Sequence, residues 1–350
     1  MLINLAAFVV VVAGIMSAKS IIIPFLLAAF LAIICAPPLY WLRTKGVPTF
    51  VSILLLVLVV IVLETALAGL VSSSMADFSR SLPLYQERLN GMVKNLISWA
   101  EGHGIDVTEK IIMEQFDPGK LMKLAANMLN NLLSVLTNTF MIMLTFVFIL
   151  LEATGFPDKL RAMAGGSGAS LHEYGKIIRG VNRYLGLKVV TSLATGVIVS
   201  IGLLVIGVDF ALMWGVVAFL LNFIPTIGSI IAAVPPMLLA LVQLGPSGSL
   251  ATAGLYLAAN ISIGNIIEPR IMGSGVGLST LVIFVSMIFW GWVLGPVGML
   301  LSVPLTMTLK IALATNDKTR HIALLLGSNS ESAAELAQSD TNNSDKQENA

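Results

Sequence analysis

An amide and a carboxylate share one face of a predicted helix within an apolar segment of the C-terminal half. Asn260, Gly264 and Glu268 recur at intervals of four residues, which puts an amide, a gap and a carboxylate on one helical face. Pro269 follows directly, so it disfavours helical geometry at Glu268 and frees carbonyl groups nearby. An ionisable residue among apolar ones, such as Glu268 or Arg270, indicates a functional site. For Arg270, a structural salt bridge at a helix end is an equally good interpretation.

Two further acidic residues lie in or beside apolar runs. Glu64 falls within the run 50–71, where it serves either a proton relay or, as the favoured interpretation, a buried hydrogen-bonded structure. Asp209 stands in a tight connection and is predicted to be a turn residue. If the protein uses an ion or proton gradient, Glu64 and Glu268 are the residues expected to couple to it.

Residue types that perform catalysis or bind metals are sparse and scattered. The three histidines and the single cysteine, Cys35, form no cluster with metal-ligand spacing, and one cysteine allows no internal disulfide. The sequence contains no P-loop and no Ser/His/Asp arrangement that could be placed as a triad. It therefore predicts a protein that is not an enzyme and binds no cofactor or metal. A net charge of +1 without a basic stripe predicts no nucleic-acid partner.

The composition is typical of a chain that spans a lipid bilayer repeatedly. Hydrophobic residues make up 57% of the 350 residues, charged residues 11%, and the mean hydropathy is +0.92. A soluble domain is closer to half apolar and a quarter charged. The predicted fold class is an all-α polytopic membrane protein, with the bilayer itself as a partner.

Two apolar stretches, 210–244 and 278–311, are interrupted in the same way. Each runs from a Trp-Gly pair through a break rich in proline and glycine to an apolar run followed by Val-Pro. Proline removes a backbone donor and glycine loosens a helix, so lipid tolerates such breaks only where the freed groups face protein or water. Broken helices in corresponding positions indicate the binding region of a transporter, and kinked packing helices are the alternative.

Apolar runs and polar intervals divide the chain into about eight transmembrane helical units, if each broken stretch counts once. Whether a broken stretch crosses the membrane once, as a hairpin or three times is left open. The predicted parts are N-terminal transmembrane helices (1–71), a helical extracytoplasmic region (72–131), one transmembrane helix (132–151), a cytoplasmic basic amphipathic segment (152–188), a C-terminal transmembrane core with both broken helices (189–311) and a cytoplasmic tail (312–350) that is disordered after about residue 328.

Lysine and arginine residues set the predicted orientation. They are concentrated before residue 50, between residues 159 and 188, and after residue 309, which places these three segments in the cytoplasm. Both termini are then cytoplasmic. The amphipathic segment fits equally well a helix on an anionic bilayer surface and a helix packed on the bundle.

Three segments resemble the signature segments of the autoinducer-2 exporter family, also called PerM-like permeases. They are Asn222–Gly228 (NFIPTIG), Asn265–Gly273 (NIIEPRIMG) and Gly295–Pro304 (GPVGMLLSVP). The similarity extends from about Leu5 to Leu326 with the segments in the same order. The resemblance implies a bacterial inner-membrane protein of about eight spans that exports autoinducer-2, and it also implies a homo-oligomer.

The polar residues near the breaks suit that substrate. Autoinducer-2 is a small polyhydroxylated molecule, uncharged unless it carries borate, so its site needs amides, hydroxyls and free backbone groups rather than a basic clamp. We place the pathway between the two broken stretches and the segment 260–273. The predicted pathway residues are Asn222, Pro225, Thr226, Gly228, Asn260, Asn265, Glu268, Pro269, Arg270, Gly273, Pro296, Gly298 and Pro304.

Two other functions fit the same sequence. Unwound carbonyl groups together with Glu64 or Glu268 would suit a sodium–proton antiporter, which needs an intramembrane carboxylate where export of an uncharged signal does not. A non-transporting oligomeric scaffold or regulator would instead work through the extracytoplasmic region and the amphipathic segment.

Overall fold

A computed structural model describes residues 2–103, 126–127, 130, 139–153, 155, 168–272, 277–314 and 319–327, and this part of the chain consists of helices joined by short turns. The α-helices are α1 (Leu2–Ser17), α2 (Lys19–Thr44), α3 (Thr49–Gly102), α4 (Thr139–Ala153), α5 (Gly168–Ile206), α6 (Ala211–Leu221), α7 (Ile227–Ala259), α8 (Glu268–Met272), α9 (Thr280–Leu294), α10 (Pro296–Ala314) and α11 (Arg320–Leu325). A π-helix, Asn260–Ile267, joins α7 to α8. No β-strand occurs within these ranges.

Within the described residues, five helical segments are long and apolar enough to cross a membrane, and four shorter apolar helices accompany them. The long segments are Lys19–Thr44, Thr49–Trp99, Gly180–Ile206, Ile227–Ile271 and Pro296–Ala314. The shorter ones are Ala6–Ser17, Phe140–Ala153, Ala211–Leu221 and Thr280–Leu294. A bilayer core takes about 20 apolar residues of helix, so these lengths fit it. The predicted all-α polytopic membrane architecture is confirmed.

The N-terminal half contributes a separate packed layer made by α2, α3 and α4. Ala28 of α2 and Phe146 of α4 are fully buried, and Ile53 and Leu56 of α3 pack with them. The small side chain of Ala28 lets the helices approach closely, as is usual in membrane interiors.

Helix α3 continues well beyond any bilayer. It has 54 residues, which corresponds to about 81 Å of helix. Residues 72–102 of the predicted extracytoplasmic region continue α3 without interruption, and almost all of the remainder of that region lies outside the described residues. Phe78, Tyr85 and Leu89 on this extension are buried against α6 and α7, so the extension is packed on the C-terminal core.

Helix α6 folds back along α5. Gly207 has φ of 89° and supports the reversal, because this backbone region is open to glycine and strained for other residues. A Cβ on Gly196 of α5 would lie 2.8 Å from the carbonyl oxygen of Gly215 on α6, so the two helices touch through their backbones. At the end of α6, the Asn222 Nδ2 donates to Ser192 Oγ of α5 at 3.0 Å.

The first broken stretch is a helical hairpin. After the turn at residues 222–226, α7 runs back until Gln243 stands beside the start of α6, where the Asp209 N–H donates to Gln243 Oε1 at 3.1 Å. We call residues 211–244 hairpin 1. Gly245, with φ of 77°, breaks α7 at the open end of hairpin 1 and sends residues 246–259 back along α5.

A polar clasp closes the open end of hairpin 1. The Tyr85 hydroxyl on α3 donates to Asp209 Oδ2 at 3.0 Å, and Gln243 Nε2 donates to the same carboxylate and to the Tyr85 oxygen. Asp209, predicted as a turn residue, therefore also links α3 to both ends of the hairpin.

The second broken stretch is also a helical hairpin. Gly295, with φ of 71°, separates α9 from α10. The two helices are antiparallel, since Lys310 Nζ near the end of α10 donates to the Gly277 carbonyl just before α9. We call residues 280–314 hairpin 2. Just before α9, the Ser279 N–H donates to the carbonyl of Leu326, which follows α11, at 3.2 Å.

The two hairpins point in opposite directions along α5. Hairpin 1 has its open end at the C-terminal end of α5, and its tip contacts Ser192 in the middle of that helix. The open end of hairpin 2 instead packs Leu278 and Met307 against Val181 and Leu185, near the N-terminal part of α5. Oppositely directed broken helices are the arrangement that places a binding region near mid-membrane in many transporters.

Helix α5 also crosses the predicted boundary at residue 188. No proline interrupts residues 168–206, and the helix is continuous. Lys188, at the end of the predicted basic segment, is consequently carried into the interior and is buried.

Candidate functional site

A polar cavity of about 170 Å³ lies where the tip of hairpin 1 meets α5, the π-helix and hairpin 2. Its walls combine amides, hydroxyls, one ion pair and a few apolar side chains. The lining residues are Tyr184, Lys188, Asn222, Pro225, Thr226, Ser229, Asn260, Gly264, Asn265, Glu268, Ile283 and Val303.

The tip of hairpin 1 forms one wall. Asn222 ends α6, and its amide donor is held by Ser192, which fixes the orientation of the side chain. Thr226 has φ of 60° and ψ of −56°, a conformation that is rare and strained for a β-branched residue. Ser229 Oγ donates to the Thr226 carbonyl at 3.1 Å and supports this turn. Strained backbone of this kind persists where the surrounding structure holds it, and it is concentrated at ligand sites.

The π-helix forms the opposite wall. The Glu268 N–H donates to the Ile263 carbonyl, five residues earlier, as the wider π turn requires. Pro269 has no N–H with which to continue that pattern, and α geometry returns at Glu268. The wide turn lets Asn260, Gly264 and Asn265 all line the cavity. π turns of this kind are frequent at functional sites.

Gly264 keeps this wall open. A Cβ at this position would lie 3.1 Å from the Asn260 Oδ1, which is tighter than an ordinary contact. The Asn260 side chain therefore lies across the backbone of Gly264, and a larger residue there would push the amide into the cavity.

An ion pair lies at one side of the cavity. Lys188 Nζ contacts Glu268 Oε1 at 2.9 Å and Oε2 at 3.0 Å, so the ammonium group faces both carboxylate oxygens. The Lys188 side chain is 7% exposed and that of Glu268 is 16% exposed. Removing either partner would leave a charge with little water around it, which is strongly destabilising.

The structure brings six of the predicted pathway residues to the cavity: Asn222, Pro225, Thr226, Asn260, Asn265 and Glu268. Six others do not line it. Gly228, Pro296, Gly298 and Pro304 lie within the hairpins, while Pro269 and Arg270 are exposed on α8. Gly273 lies outside the described residues. Glu64 is half-buried on α3 and is not among the lining residues.

Lys188 is the most important lining residue that the sequence analysis did not select. Because Lys188 directly precedes an apolar run, the sequence predicts it to be the end of the cytoplasmic basic segment. Its spacing of four residues from Tyr184 puts both on one face of α5, and both line the cavity. That spacing is the one signal in the sequence that relates the two residues. Within the described ranges, no group of three or more His, Cys, Asp or Glu residues is placed to hold a metal ion.

The helices and the cavity define a multi-pass membrane protein with an internal site lined by polar groups. Comparison with known proteins gives the particular kind: residues 5–317 match the AI-2E family transporter description, and the chain belongs to that family. The resemblance seen in the three signature segments is thereby confirmed.

Several curated relatives match nearly the whole chain. A putative transport protein of Haemophilus influenzae is 40% identical over 335 residues, covering 93% of this chain and 95% of the relative. The putative transport protein YhhT of Escherichia coli K12 is 38% identical over 326 residues, covering 93% of each chain. The AI-2 transport protein TqsA of the same strain is 39% identical over 324 residues, covering 93% of this chain and 94% of TqsA.

Proposed function

We propose that this transporter exports autoinducer-2 from the bacterial cytoplasm across the inner membrane, as a facilitator or secondary transporter without a cofactor. The observation that carries the proposal is the small cavity lined by amides and hydroxyls between two oppositely directed hairpins. Similarity to a relative named as an AI-2 transport protein supports the choice of substrate.

The size and chemistry of the cavity suit a small polyhydroxylated solute. Its volume of about 170 Å³ is below the 300–1,000 Å³ or so of pockets for drug-sized ligands. Asn222, Asn260 and Asn265 offer both donors and acceptors, and Thr226 and Ser229 add hydroxyls. A solute with several hydroxyl groups can replace its water contacts with these groups, which an apolar solute cannot.

The predicted orientation and assembly belong to the same proposal. Both termini lie in the cytoplasm, because the lysine- and arginine-rich segments do. The cavity is then loaded from the cytoplasmic side for export. Copies of the chain associate as a homo-oligomer, as the family resemblance implies.

A sodium–proton antiporter is the second candidate, and the ion pair in the cavity favours it. A cation that bound the Glu268 carboxylate would compete with the ammonium group of Lys188, which could then release a proton. Such competition couples cation binding to proton release within one site.

The purified protein in liposomes distinguishes these functions. Release of labelled autoinducer-2 would be measured with and without imposed Na⁺ and proton gradients, against empty liposomes. We expect saturable release by the protein and a much lower rate for Asn222→Ala. Na⁺-dependent proton movement without release of autoinducer-2 would establish the antiporter instead. Absence of both activities would leave the scaffold function.

A further inference from the structure

Two opposite charges face the cavity, and they cancel. Among the described residues that line it, Lys188 and Glu268 are the only charged ones. Their contact through both carboxylate oxygens, at 2.9 and 3.0 Å, leaves the lining with no net charge.

The charges that stand nearest to this pair on neighbouring turns do not face the cavity. Arg270, two residues beyond Glu268, is exposed, and Arg183, on the turn before Lys188, is exposed too. The Arg183 Nη2 lies 3.5 Å from the Ile271 carbonyl, which directs its guanidinium toward α8. The electrostatic character of the cavity therefore depends on the pair.

Binding of a charged solute beside this pair is unfavourable. An anion could approach the Lys188 ammonium only by displacing the Glu268 carboxylate, and a cation could reach that carboxylate only by displacing the ammonium. As long as both groups keep their charges, either exchange leaves one protein charge unpaired in a poorly hydrated site, which is strongly unfavourable. An uncharged solute can instead hydrogen-bond to the amides while the pair stays intact.

We propose that Lys188 and Glu268 together are the specificity-determining residues that restrict this transporter to uncharged solutes. The proposal rests on the proposed function and sharpens it: the cargo is the boron-free, uncharged form of autoinducer-2, and the borate ester, an anion, is rejected. Each residue sets the selection through the other, since loss of one unmasks the charge of its partner.

The first test is the effect of borate on the wild-type protein in liposomes. Labelled autoinducer-2 would be supplied in boron-free buffer and again with borate in excess, with empty liposomes as the control. We expect borate to lower the saturable flux by about tenfold or more, because an unpaired charge is poorly tolerated in such a site. An unchanged or raised flux with borate overturns the proposal while leaving the exporter function in place.

The second test uses ions as probes and does not depend on the cargo. Uptake of labelled glycerate, a small anion, and of labelled choline, a small cation, would be compared in wild type, Glu268→Gln, Lys188→Gln and the double variant. We expect wild type to exclude both ions, and the double variant, which carries neither charge, to show no preference between them. Glu268→Gln should take up glycerate in preference to choline by about tenfold or more, and Lys188→Gln should show the reverse preference.

The outcomes separate the two proposals. Opposite ion preferences of the single variants, without autoinducer-2 flux in wild type, would support charge selection and contradict the proposed cargo. Single variants that keep the wild-type preference overturn charge selection. If a single variant fails to fold, the swapped variant Lys188→Glu/Glu268→Lys replaces it and is used together with the borate test. The swapped pair is again neutral, so this variant must exclude both probe ions, and uptake of either ion contradicts the proposal.

Discussion

A Cβ on Gly228 would lie 1.8 Å from the carbonyl oxygen of Leu221. This contact joins the first turn of α7 to the last residue of α6, so it closes the tip of hairpin 1. Hairpin 2 is closed in the same way, since a Cβ on Gly298 would lie 2.0 Å from the Trp290 carbonyl oxygen. In both hairpins a glycine two or three residues after the proline at the tip lets the second helix start against the first.

Replacement of Gly228 by alanine should destabilise the protein severely. The new methyl group meets backbone rather than a movable side chain, so we expect a loss of about 3 kcal/mol or more, at the upper end of overpacking effects. Thermal unfolding of the detergent-purified protein measures it. Gly254→Ala on α7 is the matched control, because a Cβ there meets nothing within 4 Å. Equal midpoints for the two variants would contradict the close contact at the tip.

The Lys188–Glu268 pair should also be visible in stability. Lys188→Gln leaves a carboxylate with little water around it, and we expect a loss of about 3–5 kcal/mol, most of it regained in the double variant Lys188→Gln/Glu268→Gln. The midpoint of thermal unfolding reports both. Arg80→Gln is the control, since the Arg80–Asp77 pair has side chains 81% and 61% exposed and should contribute nothing measurable. A double variant no more stable than the single one would show that the pair is not coupled.

Asn222 should matter more for transport than for insertion. Asn222→Ala removes an amide that lines the cavity and leaves the Ser192 hydroxyl without this donor. We expect autoinducer-2 flux in liposomes to fall by about tenfold, in line with one or two lost hydrogen bonds, while the protein still inserts and purifies. Asn182→Ala on α5 is the control, because Asn182 does not line the cavity. Flux at the wild-type level in Asn222→Ala would remove this residue from the site.

The clasp at the open end of hairpin 1 should hold that hairpin in place. Tyr85→Phe removes the hydroxyl that donates to Asp209, and we expect a loss of about 1 kcal/mol. Hydrogen exchange should accelerate in peptides from residues 211–244. Tyr40→Phe, at an exposed position on α2, should change neither quantity. Unchanged exchange in Tyr85→Phe would mean that the apolar contacts of α3 alone secure the hairpin.

Local patterns in the sequence predicted more of this site than long-range contacts did. The spacing of Asn260, Gly264 and Glu268 predicted one shared face, and all three line the cavity. The π turn brings Asn265 to the cavity as well. It forms because backbone N–H groups donate to the carbonyl five residues earlier rather than four, and the residue types do not predict this choice. The partner of Glu268 is 80 residues away on α5, so it emerges only when the helices are packed.

The repeated proline and glycine pattern predicted broken helices and left their geometry open. Pro296, Gly298 and Pro304 share the pattern of the first break but are not among the residues that line the cavity. Pro296 and Gly298 share with Pro225 and Gly228 a place at the turn of a hairpin, whereas Pro304 lies within α10, directly after the lining residue Val303. The periodicity of a single segment does not tell which of two similar breaks faces a cavity, because this depends on the direction in which each hairpin runs.

The π-helix contains one more residue in its hydrogen-bonded turn than an α-helix does. An α-helix advances about 100° and 1.5 Å per residue, so a π turn that tightened to α geometry would rotate and shift everything after it by about that amount. Glu268 directly follows the π-helix and would swing away from Lys188. The contact between the two charges therefore depends on the helical register of the backbone between Asn260 and Ile267.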